Sequence, residues 1–341
     1  MLDSCGKRCR SRVVSVAGGG VQLTTFVTGA AGFIGSNLVD RLLSDGEVVV
    51  GYDNFCTGMP EFIASASRHR HFTFVQGDLL DSRSLTEAMR GASRIVHLAA
   101  NADVRFGLAD PRKDLEQNTI ATFNVLEAMR ANDVKEIAFS STGSVYGESA
   151  VVPTPEDAPF PVQTSLYGAS KLACEGMIAA YAEGYGIKAR IFRFVSILGQ
   201  RYSHGHVFDF MRQLAKNPDR LHILGDGSQR KSYLHVDDCI EAMLLALHTG
   251  DERIGIFNLG TDEVCQVLDS VDWILGRLKL SPRLTFSGGR QGWIGDNPVI
   301  YLDTSRIRTL GWQPKKSIRE AVELTVDWLA TNRWVFAKRR R

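Results

Sequence analysis

The sequence predicts an α/β fold, a doubly wound parallel sheet with a smaller C-terminal α/β lobe. Short, continuous apolar runs such as residues 47–52 alternate with stretches of helical period, as expected of strands buried on both faces and crossed over by helices. A glycine-spaced turn, Gly29-Ala-Ala-Gly32-Phe-Ile-Gly35, separates the first such run from the first helical stretch. Beyond Ala150 the texture changes: Pro153, Pro155, Pro159 and Pro161 fall within nine residues and mark a surface loop.

Each element has its own justification. Residues 23–28 form an apolar run ending in glycine, the first strand. Residues 33–44 put Ile34, Leu38, Leu42 and Leu43 on one helical face. The valine-rich run 47–52 is the second strand, and 72–76, 94–98 and 136–140 repeat its signature, with helices at 83–89 and 119–130 between them. Strands spaced by helices imply right-handed crossovers. A helix over 164–183 and a strand over 189–195 follow the proline loop. Near the end, Ser317 and Glu320 form a capping box for a helix that turns Ile318, Ala321, Val322 and Leu329 inward. The expected organisation is a disordered extension at 1–22, a Rossmann-type doubly wound domain at 23–195, a smaller lobe at 196–330 threaded partly back into it, and a basic tail at 331–341.

Composition excludes several classes. Among 341 residues, 44% are hydrophobic and 23% charged, which is globular composition and not that of a disordered chain. Forty basic against thirty-eight acidic side chains leave a net charge of +2, so no electrostatic footprint points to nucleic acid or a membrane surface. No apolar run approaches the roughly 18 residues of a spanning helix. Lys7, Arg8, Arg10 and Arg12 precede an apolar stretch, Val13 to Ala17, too short for the core of about 7–15 residues in a signal peptide. Six cysteines at 5, 9, 56, 174, 239 and 265 show no Cys-x-x-Cys pair, the usage of reduced thiols in the cytoplasm. No ligand pairs stand at zinc spacing, and His69/His71 and His204/His206 point to opposite sides on a strand, so no metal is expected.

The turn at Gly29, Gly32 and Gly35 lets a helix N-terminus approach a pyrophosphate, whose charge the backbone N–H groups favour. The spacing is G-x-x-G-x-x-G, and by itself a weak signal. Asp53 strengthens it: a carboxylate ending the second strand, 18 residues past Gly35, can accept both ribose hydroxyls of an adenosine. Asn54 follows it where an arginine would suit a 2′-phosphate, which favours NAD over NADP. Asp78-Leu79 after the third strand and Leu98-Ala99-Ala100 after the fourth fall at strand C-termini, where ligands bind in such sheets.

Tyr167 and Lys171 lie one helical turn apart on one face, after a fifth parallel strand. A phenol titrates near 10, so service as a base at neutral pH needs a fall of roughly three pH units, about 4 kcal/mol. A neighbouring ammonium and a positive nicotinamide ring are the candidate sources. The hydroxyls of Ser140, Ser141, Thr142 and Ser144 close the fifth strand, either to bond a substrate oxygen or to satisfy their own turn.

Thr28-Gly-Ala-Ala-Gly-Phe-Ile-Gly35, Asp53, His97-Leu-Ala-Ala100, Ser140-Ser-Thr142, Val145-Tyr-Gly147 and Tyr167-x-x-x-Lys171, in that order, resemble the extended short-chain dehydrogenases/reductases, specifically the NAD-dependent nucleotide-sugar epimerases and dehydratases. The resemblance covers about residues 23–329. It implies NAD held by Gly29, Gly32, Phe33, Ile34, Gly35, Asp53, Asn54, Asp78, Leu79, Leu98, Ala99, Ala100, Asn118, Ser140, Tyr167 and Lys171. It also implies proton transfer by Tyr167, with Thr142 bonding the same sugar oxygen and Lys171 lowering the pKa of the phenol. On the substrate side it points to Thr142, Ser144, Ser196, His206, Val207, Arg230, Lys231 and Arg290 for an NDP-sugar, UDP by family default. It points also to a homodimer through the helices at 119–130 and 164–183, which carry apolar residues beyond one stripe, Val125, Leu126 and Met129 on the first and Met177, Ile178 and Tyr181 on the second. The chain departs from the family pattern in two places: Lys231 stands where arginine is usual, and Ser196 where an asparagine is common.

Dehydratases of the family carry an acid directly after the threonine, where this chain has Gly143. Decarboxylases commonly carry a glutamate before Val-Tyr-Gly, where it has Ser144. C4 epimerisation is the chemistry left to a tyrosine and a hydroxyl. A cofactor-releasing reductase and a non-catalytic NAD-binding regulator are the competing readings. Asp237-Asp238 is read as the start of a helix and not as a catalytic pair.

Overall fold

Seven parallel strands build the central sheet: β1 (Thr24–Thr28), β2 (Val48–Asp53), β3 (Phe72–Gln76), β4 (Arg94–His97), β5 (Glu136–Thr142), β6 (Lys188–Phe194) and β7 (Ile254–Leu259), in the order β7-β6-β5-β4-β1-β2-β3. The order reverses between β1 and β4, so the C-terminal ends of those two strands open a crevice at the sheet's switch point. The computed structural model describes residues 23–102, 107–159, 162–293, 295–297 and 299–339. The extension expected at 1–22, and Pro161 of the proline loop, lie outside the described residues.

The continuous apolar runs become strands because both sheet faces are covered. Alternate residues point to opposite sides. Val27, Val49, Val96, Ala138 and Phe192 pack on one face with Leu38, Val39 and Leu42 of helix α1 (Phe33–Ser44). Phe26, Tyr52, Ile95, Ile137, Phe139 and Ile191 pack on the other, against helices α3 (Ala121–Ala131) and α4 (Leu166–Tyr185). Helix α2 (Ser82–Ala88) starts at Asp81, whose carboxylate accepts from the Ser84 N–H at 3.1 Å. A wide π-type turn over Leu115–Ile120 leads into α3. Of the six residues that the sequence offers for a dimer face, Val125, Leu126, Met129 and Ile178 are fully buried in this second core, while Met177 and Tyr181 are partly buried against it. The outward apolar residues around these helices are instead Ile120, Phe123, Leu166 and Tyr185.

After β6 the chain leaves for the smaller lobe and helices α5 (His206–Lys216) and α6 (Val236–Thr249), then returns as β7 beside β6, pairing Ile254 with Ala189 through Leu259 with Phe194. Helix α7 (Val267–Leu278) and helix α8 (Ile318–Thr331) follow, α8 opened by the Ser317–Glu320 capping box with Ile318, Ala321, Val322 and Leu329 buried. The region expected to be a basic tail forms helix α9 (Trp334–Lys338). Val335 is fully buried, Trp334 packs its ring 5.9 Å from that of Phe62, and Lys338 pairs with Glu61. Its partners stand some 270 residues away, which no local pattern displays. No helix among the described residues is long and apolar enough to cross a membrane.

Candidate active site

The crevice begins at the glycine turn. Gly29 has φ +70°, and a Cβ there would stand 2.8 Å from the Ala99 backbone nitrogen, so the turn can lie against the end of β4 only without a side chain. A Cβ at Gly35 would collide with the Gly29 carbonyl. Helix α1 then starts at Phe33 with Gly32 as its N-cap and no capping side chain, leaving a bare helix N-terminus at the C-terminal edge of the sheet. That is the cradle a dinucleotide pyrophosphate needs.

At the end of β2, Asp53 is almost fully buried. Its Oδ2 accepts from the Ala31 N–H at 3.0 Å and its Oδ1 from the Phe55 N–H at 2.8 Å, while burial raises its pKa. The carboxylate therefore clips the glycine turn in place, a second duty that spacing did not reveal. A carboxylate has about four acceptor positions, so capacity for ribose hydroxyls is left. Asn54 donates from Nδ2 to Asp78 Oδ2 at 3.0 Å and joins the ends of β2 and β3. Leu79 packs its side chain into the core. The Leu98 and Ala99 N–H groups both donate to the Thr28 hydroxyl at 3.2 Å; with Ala100, they form the rim across from the glycines.

His97 sits beneath that rim. Its Nδ1 meets Thr28 Oγ1 at 2.7 Å and its Nε2 meets Thr122 Oγ1 at 3.1 Å. Because Thr28 Oγ1 already accepts two N–H groups, its own hydrogen goes to His97 Nδ1, which assigns the Nε2–H tautomer. Burial, aided by the Lys171 charge, lowers the imidazole to about 3, so it is a neutral brace between strand and helix.

On the other wall, Ser165 caps α4 by accepting from the Gly168 N–H at 3.0 Å, and the helix's inward face carries Tyr167, Lys171, Cys174 and Glu175. Lys171 is 2% exposed; its Nζ donates to the Ser140 carbonyl at 2.8 Å and lies 4.5 Å from the Phe139 ring centre. Burial depresses it to about 8. In the protein without its cofactor the Tyr167 phenol moves upward. Burial pushes it up, the Asp114 carboxylate adds to the rise, and only a hydrogen bond with Thr142 counters it. In the protein alone Tyr167 is therefore a neutral phenol. The Thr142 hydroxyl also serves its own turn, accepting from the Ser144 N–H at 3.1 Å and donating to Ser144 Oγ at 3.2 Å.

Asn118 is buried behind these groups. It donates to Ser170 Oγ at 2.9 Å and accepts from the Asn101 N–H at 2.8 Å. Asn101 in turn donates to Asp114 Oδ1 at 2.7 Å. Asn101, Asp114, Glu175 and Arg193 were not singled out from sequence as site residues; Asn101, Glu175 and Arg193 signalled themselves only as polar residues between apolar or small neighbours, and Asp114, in the mostly polar run 112–118, gave no signal.

The small lobe divides its candidates. Ser196, Arg230 and Arg290 are exposed. Val207 is fully buried in the lobe's core, and His206 donates to or accepts from Ser270 Oγ at 2.9 Å, held neutral by burial at about 3. Lys231, expected to meet phosphate, is buried and bonded to Asp296 Oδ1 at 2.7 Å and to the Asn297 carbonyl. A buried ammonium needs such a partner, and Asp296 lies 65 residues further on, out of reach of a local reading. Asp238 is buried, its Oδ2 accepting from the Lys315 and Lys316 N–H groups at 3.2 and 3.1 Å, a structural role that matches its place at the start of α6.

Against known proteins, the pattern of the NAD dependent epimerase/dehydratase family matches residues 25–260. A UDP-glucose 4-epimerase of Mycolicibacterium smegmatis is 34% identical over 315 residues, 90% of this chain and 98% of that one. The UDP-glucose 4-epimerase of Thermus thermophilus, solved with NAD, superposes with a TM-score of 0.81 at 31% identity, covering 91% of this chain and all of that one. A UDP-glucuronic acid 4-epimerase from Bacillus cereus, solved with UDP-glucuronic acid and NAD, gives 0.84 at 29% identity, covering 91% and 99%.

Proposed function

The chain belongs to the NAD-dependent epimerase/dehydratase family, and from that premise we propose that it interconverts C4 epimers of a UDP-hexose, with UDP-glucose as the first substrate to try. NAD is its cofactor. The glycine turn, the bare N-terminus of α1 and the carboxylate of Asp53 fit that dinucleotide, with Asn54 and Asp78 at the adenosine end.

When bound, NAD supplies reversible hydride acceptance. The chain's own residues handle the proton and the geometry. Tyr167, a neutral phenol bonded to Thr142, is placed to exchange a proton with the sugar 4-hydroxyl, and the Thr142 hydroxyl orients the same oxygen. Lys171, anchored on the Ser140 carbonyl, sets a positive charge beside the reacting groups and a donor for ribose hydroxyls. Arg230 and Arg290 stand exposed to meet a diphosphate, and Lys231 contributes a charge already balanced by Asp296.

The observation that favours epimerisation over dehydration is Gly143. An acid at that position is what a departing 6-hydroxyl would need. Here the side chain is absent, and a Cβ built there would approach Leu302 Cδ1 and the Phe194 carbonyl at 3.4 Å and Ile300 Cγ2 at 3.5 Å. Retention of both Tyr167 and Lys171 argues against a non-catalytic regulator.

Running the reaction on UDP-glucose in deuterated water tests this. The expected product is inverted at C4 and carries no carbon-bound deuterium by NMR and mass, since only the hydroxyl proton exchanges. A 6-deoxy-4-keto product labelled at C5 would overturn the reading in favour of a dehydratase. NAD that stays bound through purification separates an epimerase from a reductase that releases it.

A further inference from the structure

One helical turn past Lys171, the same inward face of α4 buries a second charge. Glu175 is 5% exposed. Its carboxylate accepts from Arg193 Nη2 at 2.7 Å and from Arg193 Nε at 3.1 Å, a two-pronged pair, and from the Ser141 hydroxyl. Ser141 lies between Ser140, whose carbonyl holds Lys171, and Thr142, which bonds Tyr167. Arg193 continues outward, donating to Tyr146 OH at 2.7 Å and to the Glu156 carbonyl at 2.9 Å. Every polar atom of Glu175 thus faces either the end of β5 or the β6 arginine.

A buried ion pair seldom adds stability over a well-packed apolar pair, so its position calls for another explanation. Lys171 and Glu175 grip consecutive residues of β5, one by its carbonyl and the other by its hydroxyl. The titratable groups around Lys171 are His97 from β4 and Tyr167, Cys174 and Glu175 from its own helix, with Asp114 acting on Tyr167 and Arg193 paired with Glu175. His97 is neutral. Burial keeps Tyr167 and Cys174 protonated. Asp114, its pKa raised by burial, acts on the Tyr167 phenol. Glu175, gripped by the guanidinium fork of Arg193, is the acidic side chain one turn from Lys171 on the same helix face.

We propose that Glu175 is a positioning residue for the reaction, keeping Lys171 charged in a site dry enough to discharge it while fixing the β5 end that presents Thr142. Burial already brings Lys171 down to about 8; Cys174, when ionised, and Glu175 oppose that fall, and with the thiol held protonated by burial Glu175 is the standing charge. Removing its charge lets the lysine lose its proton within the working pH range. The role rests on the proposed use of the Tyr167–Lys171 pair, but Lys171's protonation can be read without turnover.

The test uses full-length protein purified with its cofactor and labelled with [13Cε]lysine; the resonance missing from K171M is titrated by NMR. In Glu175→Gln the midpoint should fall about one pH unit below that of the wild type. Ser141→Ala, which loses the hydrogen bond and keeps the charge, should hold the wild-type midpoint. Should Glu175→Gln fail to fold, the double variant E175Q/R193M leaves no unpaired buried charge and should shift in the same direction. An unmoved midpoint in a folded Glu175 variant overturns the proposal, as does an equal shift in Ser141→Ala. Turnover of UDP-glucose is followed in parallel, and the alkaline limb of kcat should track the NMR midpoint. A shifted midpoint in a protein that does not turn over UDP-glucose would remove UDP-glucose as the substrate and leave the role of Glu175 standing.

Discussion

Asp53 carries two loads. It offers acceptors to a ribose and holds the Ala31 and Phe55 N–H groups that shape the glycine turn. Asp53→Ala should therefore erase a preference for NAD over NADP and also loosen the turn, weakening both cofactors; equal affinity of the wild type for the two would remove Asp53 from its assigned role. His97 yields a pH prediction with a definite sign. Its imidazole is depressed to about 3 in the fold, against about 6.5 unfolded, so the unfolded chain binds the extra proton between those values. The stability it contributes is fully present above about 6.5 and is lost as pH falls towards 3. Urea unfolding at pH 5 should show a loss of about 2 kcal/mol from this group relative to pH 7, and His97→Asn should flatten that part of the slope. A slope unchanged by the substitution would show that the buried imidazole is not its source.

Among the elements, α3 and α4 read most simply from sequence and most needed correction. Their helical period was clear, but an apolar residue at the right period can face its own core or a partner, and only burial decides. Val125, Leu126, Met129 and Ile178 went inward, while Ile120 and Phe123 stay outward at 40% and 42% exposure. If these helices pair two subunits, Phe123→Glu should convert a dimer to a monomer in sedimentation at micromolar concentration and leave the secondary structure intact. A monomeric wild type would rule the pairing out. Helix α9 shows the same limit from the other side. Its few residues form no visible period, and its stability comes from Phe62 and from the cover around Val335.

For the molecule as a whole, Asn258 is the knot between sheet and small lobe. It is fully buried on β7, accepts from Tyr146 OH at 2.8 Å, and donates to the Thr154 and Asp303 carbonyls at 2.9 and 3.0 Å. Three segments distant in sequence close on one amide. Asn258→Ala leaves their groups buried without partners, so a loss of about 3 kcal/mol or more in unfolding free energy is expected. A cost below about 1 kcal/mol would show that the segments hold together without it.

The sequence by itself determined the parallel sheet, the glycine turn, Asp53 at a strand end and the Tyr167–Lys171 register. Each depends on a local period or on a glycine's freedom, which neighbouring residues display. Only the tertiary structure decided that Tyr167 titrates upward, that Lys231 is claimed by Asp296, that residues 334–338 fold, and that Glu175 meets Arg193. Those outcomes turn on desolvation and on partners far along the chain, and neither quantity exists until the segments have packed.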